Sequence, residues 1–262
     1  MQAPGLRKNW QRGPAPSRQC ILRARLLQGD DATARAIGLL RETSLHAQLK
    51  RWYAQQGDSF EVSVDGYQVD IERAGLLIEV QTGGFAHIRA KLEALLLSHP
   101  LRLVHPVAVE RWLVKTPEEP GQPASRRRSP KRGSPLHLFD ELVSFPRLAL
   151  HPRFSIELLL TQEEEVRRND GLGSWRRHGW SICDRRLLAV VGSRLLRAPE
   201  DYLALLPPGL PEPFTTVDLA ATAGLPLRLA QRTVYCLRQM GLLASAGSHG
   251  RLRLWSIGRN DP

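Results

Sequence analysis

The sequence predicts an α/β sandwich followed by a small helix-turn-helix unit. Three observations point there. Residues 60–64, 67–72 and 76–81 alternate like strands; leucine-rich helical periodicity flanks them; and an arginine-rich helical pattern begins at Phe214.

Each element follows in order. Glu42 to Gln55 places Leu45, Leu49, Trp52 and Tyr53 at helical spacing. The three strand-like runs are joined by Asp65-Gly66, a hairpin signal, and by Ala74-Gly75. Phe85 to Ser98 is amphipathic through Phe85, Ile88, Leu92, Leu95 and Leu96. Two strand-like pieces, LRLVHPVAV and ERWLVK, complete a helix, three strands, helix, strand, strand order. Thr116 to Pro135 is dense in proline, glycine and serine and reads as a linker or long loop. Its five basic residues from Arg126 to Arg132 can graze a phosphate backbone or simply be solvated. Beyond it, LHLFDELV looks helical, FSIELLLTQEEEV looks like a strand, and Trp175 to Leu188 suggests a hairpin around Arg176 and Arg177. This middle region either extends the first sheet or bridges to the last unit. From Phe214 the pattern gives a helix, a turn at Gly224-Leu225-Pro226, a helix from Arg228 to Met240, and a two-stranded wing around a Ser-His-Gly turn. The expected organisation is a basic tail (1–35), a first domain (36–115), a linker (116–135), a mixed region (136–206) and a last domain (207–262).

Composition narrows the function classes. The formal charge of +11 over 262 residues favours a polyanionic partner, because lysines and arginines that pair with phosphates release condensed counterions. A basic, arginine-rich proteome is the alternative source of that charge. Cys20, Cys183 and Cys236 are far apart and odd in number, which argues against a disulfide framework and a zinc cluster. No apolar run approaches the ~18 residues of a membrane span, so a cytoplasmic chain without a membrane partner is expected. The first 28 residues carry Arg7, Lys8, Arg12, Arg18, Arg23 and Arg25, no acid, and no apolar signal core. They read as a disordered tail or a misplaced start, with an organelle leader as the alternative.

The stretch DIERAGLLIEVQTGG, 70–84, holds the candidate chemistry. Glu79 and Gln81 share a strand face by the period of two. On the preceding strand Tyr67, Val69 and Ile71 are expected on one face and Asp70 on the other. Antiparallel pairing across Ala74-Gly75 then brings Asp70 and Glu79 to one edge. Two carboxylates about 4 to 6 Å apart repel one another, and a divalent cation between them removes that cost. Magnesium suits such oxygen donors and keeps waters, one of which can attack phosphorus. Glu42 lies on the helical stripe of Leu45 and Leu49, where it either joins the site or favours the helix N-terminus.

The helix with an early Glu, then VDI, then IEVQ, then a leucine-rich helix resembles the PD-(D/E)xK nuclease superfamily over about 75 residues, Glu42 to Lys115. The resemblance implies a restriction-endonuclease-like α/β sandwich and a Mg²⁺- or Mn²⁺-dependent phosphodiesterase. It places Glu42 at the helix acid, Asp70 at the metal-binding aspartate, Glu79 at the second metal ligand and Gln81 at the lysine position. A lysine there would help orient or deprotonate the attacking water, whereas a carboxamide only hydrogen-bonds to it. Some members of the superfamily carry Gln at this position. Lys91, on the following helix beside the Ile88/Leu92 stripe, either leans inward to replace that charge or faces solvent. Gly83-Gly84 permits a tight strand exit and close approach of a phosphate backbone, or merely ends the strand.

The unit from Phe214 resembles a winged helix-turn-helix over about 45 residues. That resemblance puts Arg228, Gln231, Arg232 and Arg238 on a recognition helix and His249, Arg251 and Arg253 on a wing, with DNA as the partner. A protein-docking role is the alternative. Six arginines against the single acid Asp218, between Phe214 and Arg259, favour DNA. The leading expectation is a metal-dependent DNA endonuclease with a winged-helix module. Its rivals are a catalytically inactive nuclease-like DNA-binding or regulatory protein, and a partner-binding subunit of a defence or repair complex. Either a homodimer or a partner protein is compatible with the chain.

Overall fold

Helical spacing and strand alternation both survive into three dimensions. The structure is a computed structural model that describes residues 44–117, 123–175 and 178–258. The basic tail and Glu42 lie outside the described residues. Helix α1 (Ser44–Tyr53) buries Leu45, Leu49 and Tyr53 on one stripe. An antiparallel meander follows, β1 (Ser59–Val64), β2 (Tyr67–Arg73) and β3 (Leu76–Val80). Its turns, Asp65-Gly66 and Ala74-Gly75, have positive φ at both central residues, as twisted two-residue hairpin turns require. A 3₁₀ turn, Phe85–Ile88, leads into α2 (Arg89–Leu95).

Strand β4 (Leu101–Lys115) is continuous where the sequence suggested two pieces, because a bulge between Ala108 and Glu110 breaks the alternation without ending the strand. Part of the expected linker is a strand as well, since β5 (Ser125–Arg128) pairs with the far end of β4. Cross-strand charges accompany the pairing: Arg126 pairs with Glu164 at 2.8 Å and Arg128 with Glu110. These two arginines are therefore paired rather than simply solvated. Helix α3 (Leu138–Leu142), β6 (Phe154–Asn169), β7 (Trp180–Leu196) and α4 (Pro199–Leu203) follow. The hairpin expected within 175–188 is larger, with β6 and β7 as its arms, and Arg176 and Arg177, around which it was expected to turn, lie outside the described residues.

The seven strands make one mixed sheet in the order β1-β2-β3-β4-β6-β7, with β5 beside β4. Strand β4 runs parallel to both β3 and β6. The middle region thus extends the first sheet, and the expected boundary at 115 runs through it. Alternate residues sort to two faces. Ile78, Val80, Val104 and Leu159 pack with α1, whereas Leu77, Leu103, Ile156 and Leu158 pack with α2 and α3.

Strand β8 (Phe214–Thr215), α5 (Thr216–Ala223), α6 (Leu227–Gln239), β9 (Leu243–His249) and β10 (Leu252–Ile257) close the chain. β8, β10 and β9 form a three-stranded antiparallel sheet. Thr215 and Asp218 cap α5 reciprocally, at 2.8 Å and 3.1 Å. Leu229, Val234, Leu237 and Trp255 join the same core as Phe139 and Leu142, so this unit is packed onto the sheet domain. Among the described residues, no helix is long and apolar enough to cross a membrane.

Candidate functional site

The β2–β3 ladder pairs Arg73 with Leu76, Glu72 with Leu77 and Ile71 with Ile78, then stops. The next step of that register sets Asp70 opposite Glu79, where the strands fork. The Val80 amide is instead taken by Asp70 Oδ2 at 2.9 Å. Strand β2 does not keep its alternation here: Val69 packs on the α2 side and Ile71 on the α1 side. The expectation that Tyr67, Val69 and Ile71 share a face therefore fails at Ile71. The irregularity lies at Asp70, whose neighbour across the β1 register, Glu61, has a left-handed φ of 51°.

Asp70 faces α1. His46 Nε2 lies 3.3 Å and Lys50 Nζ 3.5 Å from its Oδ1, and Lys50 also pairs with Glu61. Burial pushes the Asp70 carboxyl up, but the bonds from His46 and Val80 and the charges of His46 and Lys50 outweigh it and hold it below its usual range. Glu79 faces the other way, is 8% exposed, and lies 2.6 Å from Lys91 Nζ through Oε2. The Lys91 ammonium is thus the close partner of this buried oxygen. Burial first, and then the Asp70 charge, push Glu79 above its usual range, with Lys91 partly offsetting them.

Lys91 therefore leans inward, the first of its two expected orientations, and its ammonium also donates to the Gln68 carbonyl. Gln81 stands at the same fork and is already engaged: its Nε2 donates to the Gly84 carbonyl at 3.0 Å. His105 Nδ1 donates to the Gln81 carbonyl oxygen at 2.7 Å. Burial pushes the His105 imidazole down to about 4 in spite of that bond. The His105 ring meets Phe85 edge-on at 4.9 Å, which fixes the base of the Gly83-Gly84 turn.

Sequence reasoning missed His46, Lys50 and His105. The first two carried a signal, since they stand four apart on α1, one helical turn. His105 carried none. Among the described residues, no group of three or more His, Cys, Asp and Glu side chains is arranged to hold a metal ion. Asp70 and Glu79 stand opposite one another at the fork, but their carboxylates turn to different sides and each meets its own cation, so the structure does not show the shared edge expected of them. What they have in common is donor type, the carboxylate oxygen that hard divalent cations prefer.

The second candidate surface is on α6. Arg228, Gln231, Tyr235 and Arg238 are exposed along one stripe, at spacings of three and four. Arg251 and Arg253 are exposed on and beside β10. Arg238 and Arg253 lie 6.0 Å and 5.6 Å from the Trp255 ring. Arg232 does not join this stripe. It turns to α3 and pairs with Asp140 Oδ1 at 2.6 Å, because one turn of α6 must face the sheet domain. The same side of α6 carries Cys236, whose thiol burial pushes up to about 12.

A family model described as "Domain of unknown function (DUF8091)" matches residues 43–197, a span that ends with β7 and contains Asp70, Glu79 and Lys91. A protein of Treponema pallidum (strain Nichols) described as "Uncharacterized protein" is 33% identical over 228 residues, covering 86% of this chain and 88% of that relative. No solved structure matches the chain.

Proposed function

The chain belongs to the family described as "Domain of unknown function (DUF8091)", and we propose that it is a metal-dependent DNA endonuclease with a restriction-endonuclease-like sheet and a winged-helix DNA-binding unit. The observation that carries this reading is the Lys91 ammonium 2.6 Å from buried Glu79, at the fork where Asp70 caps the Val80 amide. This contact supports a reading in which Lys91, from a different backbone position, supplies the charge that the PD-(D/E)xK lysine would, while Gln81 occupies that lysine's sequence position.

Asp70 and Glu79 would hold Mg²⁺ or Mn²⁺, which when bound supplies charge to the phosphate and acidity to a water. Glu42, outside the described residues, is the further acid that the family pattern would add. Lys91 orients the attacking water and stabilises negative charge developing on the phosphate. His46 and Lys50 keep Asp70 ionised and pointed at the fork. Gln81 braces the Gly83-Gly84 turn, through which a phosphate backbone can approach closely. Arg228, Gln231 and Arg238, with Arg251 and Arg253, form the DNA-contacting surface, while Arg232 holds α6 to α3.

The order of helix, tight turn, helix and antiparallel pair supports the winged-helix part of the reading. A second reading, a nuclease-like DNA-binding protein without catalysis, is favoured by the engagement of Gln81 with Gly84. One experiment separates the two. Purified protein is incubated with branched, single-stranded and linear duplex DNA in Mg²⁺ or Mn²⁺, beside Asp70→Ala and Glu79→Ala. Cleavage by the wild type alone is expected. No cleavage of any substrate, or equal cleavage by all three proteins, would leave only the binding reading.

A further inference from the structure

We propose that Lys131 and Arg132 form a phosphate-binding step between α6 and the β2–β3 fork, so that one DNA duplex is held at both. Five basic residues lie from Arg126 to Arg132, and the structure divides them. Arg126 and Arg128 are committed to Glu164 and Glu110. Arg127 alternates to the other face of β5, opposite Leu113. Lys131 and Arg132 are exposed in the loop that follows, and among the described residues no carboxylate pairs with either.

The loop is held along β4. The Ser129 amide donates to the Arg111 carbonyl and the Gly133 amide to the Ala108 carbonyl, each at 2.7 Å, and Ser129 Oγ accepts the Lys131 amide at 3.2 Å. Gly133 is required there, because a Cβ would stand 2.6 Å from the Ala108 carbonyl oxygen. Order of this kind lowers the entropy that binding must remove.

Both neighbours of the loop belong to the proposed DNA path. Strand β6 fills one edge of β4, so β3, the loop and β5 follow one another along the other. At the exit of the fork the Gln81 amide donates to the Val104 carbonyl at 2.8 Å. From Val104 to Ala108, where Gly133 is bound, β4 advances about 13 Å, the length of roughly four base pairs. In the other direction the loop enters the 3₁₀ turn Pro135–His137, whose Leu136 shares a core with Leu229 of α6. Arg232 reaches from α6 to Asp140 at 2.6 Å, and exposed Arg228 stands one turn before it.

The chemistry of the loop selects the occupant. Cations without carboxylate partners match phosphates, and each contact releases a counterion. Ser125 to Ser134 holds no aromatic side chain to stack on a base and no large apolar one to form the core of a protein interface. The contact is therefore to the backbone and independent of base sequence. The inference rests on the nucleic-acid part of the proposed function but not on catalysis.

Full-length protein is titrated into two fluorescein-labelled duplexes of unrelated sequence, in chelator so that nothing is cut, over a series of salt concentrations. Lys131→Gln and Arg132→Gln are each expected to reduce the slope of log Kd against log salt by about 0.9, the value for one phosphate contact, equally on both duplexes. Arg127→Gln removes the same charge from the other face of β5 and is expected to leave the slope unchanged. Wild-type slopes in Lys131→Gln and Arg132→Gln, beside a fall in Arg228→Ala, would overturn the inference and keep α6 as the DNA surface. An equal fall in Arg127→Gln would overturn it too, as an effect of net charge alone. So would a loss confined to the binding of polyglutamate, which would assign the loop to an acidic protein. A wild type that binds neither duplex would remove this inference and the DNA-binding reading together.

Discussion

Two places in this sheet bury pairs of carboxylates, and they are treated differently. On β6, Glu163 and Glu165 are 2% and 3% exposed. Thr161 donates to Glu163 at 2.8 Å and Arg111 pairs with it at 3.1 Å, while Arg167 pairs with Glu165 at 2.7 Å. Each of these carboxylates is thus enclosed by donors, although Arg111 Nε is itself left without an acceptor. At the β2–β3 fork, Asp70 is similarly held below its usual range, but Glu79, with Lys91 as its paired cation, is pushed above its own. The first pair behaves as structure, since buried charge persists when it is compensated. The second leaves Glu79 buried with its carboxyl pushed above its usual range, the feature on which the proposed chemistry rests.

That contrast can be broken by substitution. Arg111→Ala should have the largest effect on stability, about 3–5 kcal/mol by denaturant unfolding, because it strips the shared cation from Glu163 and Glu165. His105 comes next. Its folded pKa of about 4 lies below the ordinary 6.5, so the stability it contributes is fully present above pH 6.5 and is lost as pH falls towards 4. The loss amounts to up to about 3 kcal/mol, and His105→Gln should flatten unfolding free energy across that window.

Lys91→Ala sharpens the comparison at the fork. Cleavage should fall about a hundredfold, an effect of about 2.7 kcal/mol on the barrier, while Lys91→Arg restores part of it. Arg228→Ala should have the smallest effect, about 1 kcal/mol in duplex binding, and reduce the salt dependence by about one phosphate contact. Arg232→Ala should leave the salt dependence unchanged, since its guanidinium is committed to Asp140.

Much of this was legible locally. The Asp65-Gly66 and Ala74-Gly75 turns, the leucine stripes of α1 and α2, and the helix pair from Thr216 to Gln239 all follow from short-range pattern. What the sequence hid was partner choice over long separations. Arg126 and Arg128 lie on a strand whose pairing and charge partners, β4, Glu164 and Glu110, are distant in the sequence. Arg232 looked like a DNA contact because the sequence does not say which side of α6 meets α3. The break at Asp70 depends on the unusual backbone of Glu61, which no period-two reading anticipates. The placing of Asp70 opposite Glu79 across the turn was legible by spacing, and the inward turn of Lys91 was one of two open orientations. The cations around Asp70 were visible only as a spacing of four.

The most direct test compares Glu79→Gln with Glu163→Gln, measuring DNA cleavage and thermal midpoint on the same preparations. Glu79→Gln is expected to abolish cleavage with the midpoint held or raised, because a buried carboxylate with an elevated pKa is replaced by a neutral amide. Glu163→Gln is expected to keep cleavage and lower the midpoint. Cleavage surviving in Glu79→Gln, or lost only in Glu163→Gln, would contradict the assignment of chemistry to the fork.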